Sequence, residues 1–581
     1  MMTQTRAVIG ESVEESIGGG EDVAPPRLGA AVGALADVFG HGRTVARHGV
    51  SFGKELAKIA VGRSTVAPAK GDRRFADPAW STHPAYRRLE QTYLAASGAV
   101  DGVVDDVGRG IDPRRAAEAK FAADILTAAL APTNYLWTNP AALKEAFDTA
   151  GLSLVRGTRH FVSDLLENRG MPSMVDRGAF TVGTDLAVTP GAVISRDEVA
   201  EVLQYTPTTT TVRHRPVLVV PPPIGRYYFL DLRPGRSFVE YSVGRGLQTF
   251  MLSWRNPTAE QGDWDFDTYA GRVLRAIDEV REITGSDDVN LIGFCAGGIL
   301  ATTALNHLTA RGDDRVHSMA YAVTMLDFGD PALLGAFARP ALIRFAKGRS
   351  RRKGLISARD MGSAFTWMRP NDLVFNYVVN NYLMGRTPPA FDILAWNADG
   401  TNLPGTLHGQ FLDLFRDNLL VERGKFTVLG TPVDLKSITV PTFVSGAIAD
   451  HLTAWRNCYR TTQLLGGDTE FVLSFSGHIA SLVNPPGNPK AHYWTGGTPG
   501  PDPDAWLEHA ERQQGSWWQA WADWVLAHGG EETTAPSAPG STRHPALEAA
   551  PGRYVRDLPA DRPPGSGIRP GPTGRPLTVG G

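Results

Sequence analysis

The chain has 581 residues, too many for one ordinary hydrophobic core, and its 42% apolar content with a mean hydropathy of -0.17 is that of a globular protein. Lys plus Arg number 58 against 61 Asp plus Glu, a net charge of -3 that excludes a surface built to wrap nucleic acid. No stretch reaches the roughly 18 uninterrupted apolar residues of a transmembrane segment. Only Cys295 and Cys458 are present, which argues against a disulfide framework and for a reducing, cytoplasmic compartment.

Residues 1–70 read as an N-terminal arm, partly disordered: the first 26 residues lack the basic and apolar regions of an export signal. The following "LGAAVGALADVFGHGRTVARHGVSFGKELAKIAVG" has apolar residues at helical spacing, interrupted by glycines. It reads as a helix packed on its own protein in preference to one adhering to an external surface. Residues 71–200 read as a mostly helical N-terminal domain, with broad apolar faces in "AAEAKFAADILTAALA" and "NPAALKEAFDTAGLSLVRGTRHFVSDLLENRG" that stop at Gly or Pro.

Strand–helix alternation is expected from near Arg215, giving a catalytic domain over 201–530. "VLVV" is a buried strand, Pro221, Pro222 and Pro223 force an extended exit, and the Ile224 N–H is the first free donor after prolines that have none. The run "VNLIGFCAGGILATTALNHL" reads as strand, sharp turn and helix, with Cys295 at the apex. Gly293 and Gly297 allow that bend.

A cap insertion is expected at about 327–425, its aromatic-rich segments suiting a lid or, equally, a plain cap core. The strand "PTFVSG" then leads to Asp450, expected at a helix N-cap, with Cys458 two turns along that helix and given a packing role. The strand "FVLSF" leads to Ser476-Gly477-His478 on a loop. Trp506, Trp517, Trp518, Trp521 and Trp524 are spaced as core rather than as a ligand cage. Residues 531–581 read as a Pro/Gly-rich, disordered C-terminal tail. Among the 14 histidines no metal-ligand spacing occurs, and no nucleotide-binding loop is present, so no metal or cofactor is expected.

Nucleophile, acid and histidine in that chain order are the signature of an α/β-hydrolase triad: Cys295, Asp450 and His478. The oxyanion hole would be formed by the backbone N–H groups of Ala296 and Ile224. Thiol chemistry suits transfer from a thioester, because thiol–thioester exchange is nearly thermoneutral.

The segments "DRRFADPAWSTHPAYRRLEQTYL" (from Asp72), "NYLWTNPAAL" (from Asn134), "GTDLAVTPGAVI" (from Gly183), "FDILAWNADGTNLPGTLHG" (from Phe391), "DHLTAW" and "SGHIASLVNPPGNPKAHYW" occur in the order found in polyhydroxyalkanoate synthases, which this chain resembles from about residue 70 to 556. One departure is Ile224-Gly225-Arg226-Tyr227, where the family usually has Ile-Asn-Lys-Tyr. The resemblance implies an α/β-hydrolase fold with a cap, preceded by the helical domain. It also implies an acyltransferase that polymerises (R)-3-hydroxyacyl-CoA into polyester with release of CoA, working without a cofactor as a cytoplasmic homodimer at a polyester granule surface. "HGQFLDLF" leans to the medium-chain class. A cysteine-nucleophile hydrolase or intracellular depolymerase is the alternative enzyme, and a non-catalytic granule-associated relative the alternative without turnover.

Overall fold

A computed structural model of the chain describes residues 33, 35, 37–176, 178–329, 340–557 and, as backbone only, 569–570. Nearly half of the N-terminal arm, ten residues of the expected cap and most of the tail beyond Asp557 therefore lie outside the described residues. The chain divides into two compact units, one of residues 1–176, 333–342 and 359–391, the other of residues 177–332, 343–358 and 392–581. The expected cap region contributes to both.

The first unit is helical. Helices α1 (Gly42–Ala60), α2 (Pro84–Gly108), α3 (Pro113–Ala129), α4 (Pro140–Asp148) and α5 (Leu152–Glu167) open with proline at the first turn in three cases, where its missing N–H costs nothing. Val103, Val104 and Val107 of α2 close a core with Ala119 and Ala123 of α3, and Val38 is buried in the same cluster. Helix α1 lies on α2, and the His48 Nε2–Asp106 Oδ2 contact of 2.8 Å joins them. The described part of the glycine-interrupted helix thus packs on its own protein. Two π-helical turns, Asn371–Phe375 and Val378–Leu383, belong to this unit, the second against α5, where Gly157 gives the Tyr382 carbonyl room.

Among the described residues the second unit carries an eleven-stranded sheet. Its strands are β1 (Gly191–Arg196), β2 (Ala200–Tyr205), β3 (Val217–Val220), β4 (Thr249–Trp254), β5 (Val289–Phe294) and β6 (Val316–Ala322). They continue with β7 (Thr442–Ala447), β8 (Thr469–Ser474), β9 (His492–Thr495), β10 (Glu511–Gln514) and β11 (Glu548–Ala549). The spatial order is β10-β9-β8-β7-β6-β5-β3-β4-β2-β1-β11, parallel from β4 through β8 and antiparallel at both flanks. Strand order reverses where β3 sits between β4 and β5, and in open α/β sheets the crevice beyond the strand ends at such a point is the ligand position. Helices α6 (Phe266–Thr284) and α7 (Ala296–Ala310) pack together beside the central strands. The fold is that of the α/β-hydrolases.

Two features differ from the sequence reading. Strand–helix alternation opens with β3 at Val217, but the sheet itself already begins at Gly191, within the residues read as mostly helical, because β1 and β2 form an antiparallel pair whose second strand is fully buried against β4. Residues 531–557 are not a disordered tail: Glu532–Thr534 pairs with Thr211–Arg213, and β11 adds to the sheet edge. Polar partners hold this segment, since Glu548 meets Arg196, and the Arg553 and Tyr554 N–H groups donate to the buried Glu201 carboxylate at 3.1 Å. The tryptophans are core, as expected. Trp517, Trp518 and Trp521 pack around Phe238, and Trp524 against Phe443.

Candidate active site

Cys295 follows β5 and is the N-cap of α7 with φ of 49° and ψ of -124°, a strained conformation for a residue with a side chain. The strain is held from several sides. The Cys295 N–H donates to the Ala322 carbonyl at 2.9 Å, and the Thr324 hydroxyl donates to the Cys295 carbonyl at 3.0 Å. The glycines around it are required sterically: a Cβ at Gly297 would stand 2.3 Å from the Val220 carbonyl oxygen and 2.5 Å from that of Pro221, and one at Gly298 would meet the Thr324 side chain at 2.2 Å. Glycine at 297 therefore lets helix α7 approach the β3 exit, and glycine at 298 lets it approach Thr324. Cys295 itself is partly exposed.

Asp450 follows β7 on a turn, its N–H donating to the Ala447 carbonyl at 3.0 Å. The sequence reading set it at a helix N-cap. Helix α8 instead spans Trp455–Leu464 with Ala454 as cap, so Asp450 lies in the loop before it and does not share a helix face with Cys458. The carboxylate organises that loop directly, Oδ1 accepting from the Leu452 N–H at 2.8 Å and the Thr453 N–H at 2.9 Å. An Asx-type turn of this kind competes with helix, which explains the late start of α8.

His478 was expected on a loop and is the first residue of the one-turn helix α9 (His478–Leu482). Ser481 donates its hydroxyl to the His478 carbonyl at 2.8 Å, and Trp517 Nε1 donates to the Ser481 carbonyl at 2.9 Å. The acid and histidine loops are also tied to each other, the Ala449 N–H donating to the Ser476 carbonyl at 3.2 Å.

These elements bring Cys295, Asp450 and His478 together. His478 Nδ1 lies 2.6 Å from Asp450 Oδ2, with the Asp450 side chain fully buried and that of His478 nearly so. Cys295 is within side-chain hydrogen-bonding reach of His478. Burial alone would lower the imidazole, but the Asp450 charge, reinforced by Cys295, pushes it up to about 10. Burial would likewise raise Asp450, and the His478 charge with the surrounding donors holds it below the usual carboxylate value. Cys458 is fully buried, and burial pushes its thiol well above the usual range, with the Asp450 and Cys295 charges adding to the effect.

The Ala296 N–H is at the first position of α7, and neither it nor the Ile224 N–H donates to another protein group among the described residues. The loop carrying Ile224 is clamped by residues that sequence reasoning left without a role. The Gly225 N–H donates to Thr401 Oγ1 at 2.8 Å, and Trp396 Nε1 donates to the Arg226 carbonyl at 2.7 Å. Gly225 has a φ of 86°, and a Cβ there would stand 3.0 Å from the Trp396 ring. Arg226 forms a buried ion pair with Asp399 at 2.9 Å, and Asp399 also accepts from the Tyr228 hydroxyl at 3.0 Å. Asp399 sits in an Asp-Gly pair, so its local sequence signals only a turn; its partners lie more than 150 residues away. No group of residues suited to a metal ion occurs among the described residues.

Two family models match the chain, one described as "Poly-beta-hydroxybutyrate polymerase (PhaC) N-terminus" over residues 71–242 and one as "alpha/beta hydrolase fold" over residues 235–485. The poly(3-hydroxyalkanoate) polymerases 1 and 2 of Ectopseudomonas oleovorans are 43% and 44% identical to it, covering 88% and 89% of this chain and 91% and 92% of their own. The poly(3-hydroxyalkanoate) polymerase subunit PhaC of Cupriavidus necator is 40% identical, over 86% of this chain and 85% of its own. Among solved structures, a monoacylglycerol lipase from Paleococcus ferrophilus aligns with 57% of this chain and 99% of its own at 13% identity and a TM-score of 0.32.

Proposed function

The chain belongs to the poly(3-hydroxyalkanoate) polymerase family, and from that premise we propose that it builds its polyester through an acyl-enzyme on Cys295. It is a polyhydroxyalkanoate synthase, an acyltransferase. The observation that carries the mechanistic reading is the Asp450–His478 contact of 2.6 Å within reach of a strained, partly exposed Cys295.

In the proposed cycle the substrate is an (R)-3-hydroxyacyl-CoA. His478 holds the proton of Cys295 while the sulfur attacks the thioester carbonyl, and the Ala296 and Ile224 N–H groups receive the developing oxyanion. The carbon–sulfur bond to CoA breaks, and CoA leaves with the proton from His478. The 3-hydroxyl of a second acyl group then attacks the acyl-cysteine, His478 takes the hydroxyl proton and returns it to the Cys295 sulfur, and an oxoester is formed. Passing the acyl group from sulfur to oxygen is downhill, so the cycle needs water kept out rather than energy put in.

Asp450 is assigned the orienting role, not that of the base for the hydroxyl. Each of its oxygens already accepts from two donors, Oδ1 from Leu452 and Thr453 N–H and Oδ2 from His478 and the Thr453 hydroxyl, which fills about the four acceptor sites of a carboxylate. Association with the polyester granule surface, a homodimer and a preference for medium-chain monomers belong to the same proposal. They rest on the resemblance of the sequence segments. The domain assignment proposed is an arm to residue 70, a helical domain from 71, and a catalytic domain that takes in the sheet from Gly191 to Ala549.

The deciding experiment supplies purified protein with 3-hydroxybutyryl-CoA or 3-hydroxyoctanoyl-CoA and follows free CoA and the fate of the acyl group. Synthase action leaves a chloroform-soluble polyester, faster with the octanoyl substrate. Stoichiometric 3-hydroxy acid without polymer would instead establish a hydrolase.

A further inference from the structure

Thr453 stands between the two residues that prepare the nucleophile. Its hydroxyl donates to Asp450 Oδ2 at 2.6 Å, and the same oxygen lies 3.1 Å from His478 Nδ1. Its N–H donates to Asp450 Oδ1 at 2.9 Å, and its carbonyl accepts from the Cys458 thiol at 3.7 Å. The side chain is buried. With its single proton committed to Oδ2, the hydroxyl oxygen turns a lone pair toward Nδ1, so the imidazole N–H is shared between the carboxylate and Thr453.

We infer that Thr453 is a positioning residue for the acyl-transfer reaction, its hydroxyl fixing the Asp450 carboxylate and the His478 ring in one geometry. The inference rests on the reading of Cys295, Asp450 and His478 as the reacting set. A carboxylate held by backbone donors on one oxygen alone can pivot about its Cβ–Cγ bond. A second donor on Oδ2 stops that rotation, and the ring can then neither turn away from Cys295 nor exchange its tautomer. Thr453 touches no reacting atom in this scheme; its effect passes through His478.

Two substitutions separate the hydroxyl from the methyl group. Thr453→Val keeps the shape and removes the hydrogen bonds, whereas Thr453→Ser keeps the hydroxyl and removes a methyl. A positioning role predicts that Thr453→Val lowers kcat for CoA release by about ten- to a hundredfold with KM within about threefold of wild type, the loss expected for one hydrogen bond to a charged group. Alkylation of Cys295 by iodoacetamide slows in the same variant. Thr453→Ser recovers most of both rates. A packing role predicts the reverse order, Thr453→Ser worse than Thr453→Val, and that result, equal losses in both, or wild-type rates in both would overturn the inference. Thermal melting of each variant identifies any that fail to fold, and for a poorly folded Thr453→Val the same comparison is made with Thr453→Ala against Thr453→Ser. His478→Ala run alongside distinguishes the two levels: full turnover in that variant refutes the underlying triad, whereas an inactive His478→Ala beside a fully active Thr453→Val refutes only the role of Thr453.

Discussion

Replacing Asp450 by Asn keeps the size of the side chain and removes its charge, which makes it the sharpest test of how His478 is prepared. The charge centres of the pair stand somewhat farther apart than the 2.6 Å between Nδ1 and Oδ2. Unit charges about 4 Å apart attract by about 4 kcal/mol at an effective dielectric of about 20. That figure equals roughly a thousandfold in rate. The amide can also turn its NH2 toward Nδ1 and select the wrong tautomer, the effect that costs about ten-thousandfold in the serine-protease triad. We therefore expect kcat for CoA release to fall about a thousandfold or more with KM little changed. Stability carries a second signature. The folded His478 is raised from its usual value to about 10, so its share of the pair is complete below about 6.5 and is lost as pH rises through about 10. Asp450 is lowered, so its share is present above about 3.9 and is lost as pH falls through its folded value. The difference in melting temperature between wild type and Asp450→Asn should thus be widest around pH 4–6.5, decline as pH rises above that range, and be smallest at pH 10 and above. Turnover within tenfold of wild type, or a difference that grows toward pH 10, would refute this account of the pair.

Gly297→Ala should abolish soluble expression or activity, since its Cβ would fall 2.3 Å from a backbone carbonyl that cannot move aside; a normally active variant would contradict the elbow packing. A thiol reagent applied to the folded protein should label Cys295 and spare buried Cys458, and Cys458→Ser should keep most of the wild-type rate; labelling at Cys458, or a folded but inactive Cys458→Ser, would show that this thiol does more than pack. Truncation after Gly540 removes β11 and the two N–H donors to the Glu201 carboxylate. Losing charge-assisted hydrogen bonds at about 1.5–3 kcal/mol each should lower Tm by about 5 °C or more, as read by calorimetry, and an unchanged Tm would show the segment to be dispensable.

The parts of the site that local pattern encodes were legible in the sequence. The glycines around Cys295, the prolines before Ile224 and the strand ends before Asp450 and His478 are short-range signals, because a tight turn or a strand exit demands particular residues within a few positions. The clamp on the Ile224 loop was not legible, since Thr401, Trp396 and Asp399 act across more than 150 residues and each has an ordinary local role in its own segment. The start of α8 was misplaced for a related reason: Asp450 has the composition of an N-cap, but its carboxylate closes a turn on Leu452 and Thr453 instead. Residues 531–557 looked like tail because Pro, Ser, Thr and Gly recur through them. Their order comes from ion pairs and strand edges supplied by residues near 200, a source that composition does not register.

The central claim is that the acyl group rides on Cys295, and it can be tested by mass. After brief mixing with 3-hydroxyoctanoyl-CoA, acid quenching and trypsin digestion, the peptide from Glu282 to Arg311 should carry the hydroxyacyl group as a thioester on Cys295, and hydroxylamine should remove it. The same treatment of Cys295→Ala should leave that peptide unmodified and release no CoA. An acyl group found on any other residue of the wild-type protein, or CoA release by Cys295→Ala, would contradict the account.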